Sequence, residues 1–243
     1  MERYLQKIIK SIFHFKVLLI VLFLVLERGQ IRYVFSQTPS VIRNIRLPLW
    51  AELDAYPGLE ESGNVEEGQF DFPVSQMHKI APFIINGMVY GWNFVYVPSD
   101  KAREVEEVLE ITEIVSSQAI KGGIKYSSPW IENNNFNCWV EYTRTDSQVQ
   151  GYKLWESIQN PVIGGIGYGS VEKGFEGIEE ATRESLKDAI RNHYRKIIKN
   201  KPKEITGSVL IRKFPTLGID SGRYVIKLDF FLECGRIIEY SVY

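Results

Sequence analysis

Apolar residues gather first between Val17 and Leu26, ten in a row, behind a basic stretch that carries Arg3, Lys7, Lys10 and Lys16. A basic segment followed by roughly 7–15 apolar residues is the layout of a secretory signal. It is too short for a membrane-spanning helix, which needs about 20 apolar residues. Val34-Phe35-Ser36 before Gln37 is the best local match to a cleavage site, although Glu27, Arg28 and Arg32 stand between it and the apolar run. Residues 1–36 are therefore expected to act as a signal peptide cleaved at Ser36/Gln37. An uncleaved N-terminal anchor and a buried helix of a soluble protein are the alternatives. No Cys follows the run, so acylation of a lipoprotein-type Cys is excluded.

Residues 37–80 read as an extended and acidic loop region. From Leu47 to His78 there is no Lys or Arg, while Glu52, Asp54, Glu60, Glu61, Glu66, Glu67 and Asp71 are all acidic. The close alternation of oxygen ligands around a turn glycine that calcium loops use is missing. Beyond it, Ala81–Ile85 and Met88–Val97 have the β-branched and aromatic content of strands. Ala102, Val105, Val108 and Thr112 recur at three-to-four spacing and predict an amphipathic helix over 101–112. Strands are predicted near 120–127 and over 135–144, with Asn133-Asn134-Asn135 as the turn between them.

The second half reads in the same order. Val162–Ser170 is a glycine-rich strand, and Ile178–Lys199 is the clearest helix. Its stripe is Ile178, Ala181, Leu186, Ala189, Ile190, Tyr194, Ile197 and Ile198. Acids open this helix and Arg195, Lys196 and Lys199 close it, an order that complements the helix dipole. Strands are predicted over 206–214 and 223–234, with a last short strand at 236–243 and a turn at 218–222. The fold class is thus α+β: two β-α-β-β units, 81–158 and 159–243, with antiparallel sheets and helices packed on one face. Shifting by 78 residues lays Asn86–Gly91 on Gly164–Gly169, which raises internal duplication as an alternative to two unrelated units of one common type.

Composition narrows the chemistry. Residues 1–36 hold six of the 29 Lys/Arg and two of the 30 Asp/Glu, leaving 23 bases against 28 acids, a net charge of about −5. Nonspecific nucleic-acid binding, which runs on clustered positive charge, is not expected. Gly165-x-Gly167-x-Gly169 lacks the last glycine of a dinucleotide fingerprint, because Ser170 stands there. These glycines instead suit tight bending or close packing of a helix on the strand. With three histidines and no Cys-x-x-Cys or His-x-x-x-His, no zinc site or other cofactor is expected. No serine lies in Gly-x-Ser-x-Gly. Cys138 and Cys234 are each expected as a small buried residue of a strand, with a disulfide between them as the alternative. Trp92, Phe94 and Tyr96 share one face of a strand. Together with Trp139 they are the candidate binding surface, the alternative being an aromatic core.

The Gly-Tyr-Gly strand, the helix with Ala181 and Ala189, and the strand pair after it give residues 161–234 a resemblance. They are similar to the small α+β domain shared by bacterial surface lipoproteins of the LPP type and the N-terminal domain of flagellar assembly protein T. The resemblance implies an exported protein that assembles with other envelope or flagellar-type proteins, and it brings no catalytic residues with it. The alanine stripe here is sparser than the family's, and the lipid-accepting Cys is absent.

The expectation is an exported, noncatalytic periplasmic or outer-envelope protein of a bacterium with a binding or assembly role. A secreted hydrolase and a carbohydrate- or lipid-binding module using the aromatic-rich first half are the alternatives.

Overall fold

The computed structural model describes residues 42–54, 68, 70–157 and 159–240. The expected signal over 1–36 lies outside them, as do residues 55–67 of the acidic stretch. The elements are β1 (Asn44–Glu52), α1 (Asp71–Val89), β2 (Trp92–Val97), β3 (Val108–Glu113), α2 (Gln118–Lys121), β4 (Lys125–Glu132) and β5 (Asn135–Thr143). They continue with α3 (Asp146–Trp155), β6 (Val162–Ser170), α4 (Phe175–Ile197), β7 (Glu204–Ile211), β8 (Thr216–Asp220) and β9 (Arg223–Ile238). The class is α+β, with every strand pair antiparallel. Among the described residues no helix is long and apolar enough to cross a membrane.

Two sheets form. One has the order β1-β5-β4; the other runs β3-β2-β7-β9-β6, with β8 also on β9. Alternation sets the faces of β1: Ile45, Leu47, Leu49 and Ala51 point inward. Its Pro48 is tolerated because β1 is an edge strand and needs no second ladder. The Asn133-Asn134 turn sits where the sequence places it, with positive φ at both residues (52° and 62°), as a tight two-residue hairpin requires. α1 packs against β1, β5, β7 and α4 and so links the two sheets.

The close packing of helix on glycine strand is realised in β6 and α4. A Cβ on Gly165 would lie 2.1 Å from the Ser185 carbonyl oxygen, on Gly167 1.9 Å from that of Ala181, and on Gly169 1.9 Å from that of Gly177. Two strand residues advance about 6.7 Å and four helix residues about 6 Å. Glycines every second position on β6 therefore keep step with Gly177, Ala181, Ser185 and Ala189 on α4. Ser185 seals the seam by donating its hydroxyl to the Gly165 carbonyl at 2.9 Å.

The first half departs from the sequence reading. Residues 71–89 are one helix, not a loop followed by a strand at 81–85 and the start of the strand expected over 88–97. Its buried stripe begins upstream, at Pro73 and Met77, and continues through Ile80, Ala81, Ile84, Ile85 and Met88. That period was masked by a local β-branched run. The strand starts only at Trp92, after Gly91 turns the chain at φ 76° with the Val209 carbonyl too close for any side chain. Residues 101–112 are not a helix either. Asp100 caps a short 3₁₀ turn over Lys101–Arg103, Glu104 takes a left-handed conformation (φ 57°), and β3 follows as the partner of β2. Leu109 faces inward while Val108, Glu110 and Thr112 are exposed, so strand alternation wins over a sparse helical spacing. A four-residue helix, α2, replaces the start of the strand expected at 120–127, and α3 forms where the sequence pattern predicts no element. Asn86–Gly91 is the end of a helix whereas Gly164–Gly169 is strand, so the 78-residue shift matches no shared structure. β2 pairs with β7, and the strands of the two expected units thereby lie in one sheet.

Candidate functional site

The last two turns of α4 stand over the end of β2 and the segment 199–202 before β7. Between them is a cavity of about 580 Å³, within the range typical of small-ligand sites. Tyr96 from β2 and Tyr194 from α4 line it, both nearly fully buried at 3 % and 4 % exposure. Glu107, from the turn before β3, reaches in from the side. Arg191, Arg195, Lys199 and Lys201 supply its cations. Positions 191 and 195 are spaced by four, which puts them on one side of the helix, and Lys199 follows the helix end at Ile197 and lines the same cavity.

One ion pair is fixed. Arg191 Nε donates to Glu107 Oε1 at 2.7 Å and Nη2 to Oε2 at 2.5 Å, a two-pronged contact. Tyr96 donates its hydroxyl to the same Glu107 Oε1 at 2.6 Å. Burial pushes the Glu107 carboxyl up, but the hydrogen bonds from Arg191 and Tyr96 outweigh it and hold the group below the usual carboxylate range. The hydrogen bond with Glu107 holds the Arg191 guanidinium charged and above its ordinary value, outweighing burial, which acts to lower it. Burial, then the Glu107 carboxylate, drives the Tyr96 phenol well above its ordinary value.

The other cations are less committed. Lys201 donates to the Ser99 carbonyl at 2.9 Å. Arg195 and Lys199 are exposed at the rim. Tyr194's hydroxyl is buried without an oxygen or nitrogen partner. Burial and the neighbouring Cys234 thiol push its phenol far up.

The residues singled out from the sequence lie elsewhere, apart from Tyr96. Trp92 and Phe94 point into the core, at 1 % and 2 % exposure, and Tyr96, at 3 %, borders the cleft from the same inner face, so the three form no exposed aromatic surface. The reason is that β2 is a central strand whose inner face is covered. Trp139 is separate from them, half-buried on the outer face of β5. There Arg46 lies over its ring at 4.6 Å and Trp130 is 6.1 Å away. Cys138 and Cys234 belong to different sheets and are free thiols. Cys138 is buried, as expected, and burial moves its thiol up to about 11. Cys234 is exposed, contrary to expectation, because the last third of β9 runs beyond the cover of the core.

Two smaller cavities among the described residues are each about 140 Å³. One is bounded by Trp92, Glu113, Glu179 and Arg183, the other by His78, Tyr126 and Cys138. Burial pushes the Glu179 carboxyl up, while Glu113 already accepts the Ser117 N–H at 2.9 Å. Among the described residues no group of three or more His, Cys, Asp or Glu could hold a metal ion.

The cleft residues Glu107, Arg191, Arg195 and Lys199 escaped the sequence reading. The four-residue spacing of the last three was legible, but dipole complementarity already accounted for basic residues there.

A protein-family model matches residues 33–240. An uncharacterised protein of Treponema pallidum (strain Nichols) is 28 % identical over 204 residues, covering 82 % of this chain and 83 % of that protein. No solved structure matches. The chain belongs to the family matched over residues 33–240.

Proposed function

We infer that the protein is an exported, noncatalytic component of a bacterial-type cell envelope that works by binding, with the cleft at the end of α4 as its binding site. The observation that carries this reading is the Tyr96–Glu107–Arg191 cluster. A catalytic acid or base has to exchange its proton near the working pH. Here the carboxyl is held low, and the phenol and guanidinium are held high. All three keep one charge state across the neutral range, so the cluster shapes and charges a pocket without moving protons. The basic stretch and ten-residue apolar run before residue 36 support export. The likeness of residues 161–234 to envelope and flagellar assembly domains supports a partner of that kind.

A second reading, saccharide binding, draws on Trp139, Trp130 and Arg46 on the outer face of the three-stranded sheet, where the two rings lie tilted at 40° to each other and are partly open. It uses different residues and is separable by mapping.

The test is a photocrosslinking amino acid placed at Asn200, in the cleft, and at exposed Lys153, outside it, in cells of the native organism fractionated afterwards. The reading expects the protein in the envelope fraction and an adduct from position 200 that position 153 does not give. A cytoplasmic protein, or identical adducts from both positions, overturns it.

A further inference from the structure

We propose that the cleft binds a phosphate-bearing anion, gripped by Arg195, Lys199 and Lys201 above the Tyr96–Glu107–Arg191 floor. This deepens the binding role inferred above and rests on it. The first argument is charge. Four cations and one carboxylate line the cavity. The carbonyl end of α4 adds about half a negative charge, which leaves an excess of about two and a half positive charges. A helix end needs only a fraction of that for its own dipole. A single carboxylate would neutralise less than half of the excess, whereas a phosphate monoester carries about −1.5 to −2 near neutral pH.

The second argument is the division of labour among the cations. Arg191 is spent on Glu107, both prongs engaged. Its neighbour one turn later, Arg195, has the planar fork that grips oxyanions in pairs. Lys201 is already tied to the Ser99 carbonyl, which holds its ammonium at the wall of the cavity. The same chemistry arises from a free small phosphate and from a phospholipid headgroup, and the cavity of about 580 Å³ admits either headgroup or small molecule.

The experiment is calorimetric titration of the full chain with inorganic phosphate and pyrophosphate, alongside cosedimentation with vesicles of phosphatidylcholine alone or mixed with phosphatidylglycerol. Wild type is compared with Arg195→Gln/Lys199→Gln, both exposed positions, with the melting temperature of each recorded. The proposal expects saturable binding of pyrophosphate, or a preference for the phosphatidylglycerol vesicles. The double variant should weaken that binding about tenfold or more at unchanged melting temperature, the worth of one charge-assisted hydrogen bond. Binding of the free anion identifies a small phosphate as the ligand. Binding only to the charged vesicles identifies a headgroup. Absence of binding to every phosphate probe, or binding that the double variant leaves intact, overturns the proposal. Should a cleft-specific crosslink at Asn200 persist in that case, the binding reading survives and only the phosphate assignment falls.

Discussion

Glu107 is the residue on which the cleft turns, because two donors meet on its carboxylate. Its pKa lies below the ordinary value in the folded protein. The stability it contributes is therefore present above the unfolded value of about 4.3 and lost as pH falls through the folded value. Tyr96 works with the opposite sign. Its phenol is raised on folding, so its contribution is present below about pH 10 and lost as pH climbs beyond it. Glu107→Gln should cost about 1–3 kcal/mol at pH 7, since Arg191, largely buried, loses its two-pronged partner and keeps only the longer contact to Asp188 at 3.8 Å. It should also flatten the fall in stability below pH 4, and Tyr96→Phe should flatten the fall above pH 10. Urea midpoints measured across the pH range check both. A Glu107→Gln protein that loses stability in acid as steeply as wild type would show that the pair contributes nothing to folding. Neither residue carries a sequence signature. Glu107 is one acid among many, and its meeting with Arg191 across 84 positions is a product of the fold alone.

At the scale of elements, α4 on β6 is where pattern and packing agree most closely. The helix was legible from its apolar stripe and its charge order. The alternate glycines of β6 were legible as a surface for close packing, since a strand bearing glycine at every second position gives up side-chain contacts there. Gly167→Ala should destabilise the protein by about 1–3 kcal/mol, because its Cβ would fall 1.9 Å from the Ala181 carbonyl oxygen and force helix from strand. Gly218→Ala, with no atom within 4 Å of its new Cβ, is the control and should be neutral within about 0.5 kcal/mol. Chemical denaturation at constant slope distinguishes them, and equal midpoints would remove the seam from the account. α1 and β3 show the limit of such reading. Ile84-Ile85 has strand composition inside a helix, and the spacing of Ala102, Val105 and Val108 is helical inside a turn and strand. Contacts distant in sequence decided both: the pairing of β2 with β3, and the two sheets that flank α1.

For the whole molecule, the α+β class follows from sequence because alternating and helical periods are local. The arrangement of its parts does not. Strands from both halves share one sheet, α1 joins that sheet to the three-stranded one, and Arg144 fastens the junction from its buried position by donating to the Met88 carbonyl at 2.8 Å. The cleft is a consequence of that arrangement, since β2, the turn before β3, the end of α4 and the segment before β7 meet only once the larger sheet is assembled. Of the aromatic residues that stood out in the sequence, Trp92, Phe94 and Tyr96 lie in the core and Trp139 on the outer face of the smaller sheet. The basic residues that looked like helix trim border the opening of the cleft. The measurement that tests this most directly is nuclear magnetic resonance of the isotopically labelled full chain during titration with pyrophosphate or a soluble short-chain phosphatidylglycerol. The account predicts shifts concentrated at the amides of Tyr96, Ser99, Glu107 and residues 194–201, saturating together. Shifts centred on Trp130 and Trp139, or a cleft left unshifted by both pyrophosphate and a soluble short-chain phosphatidylglycerol, would contradict it.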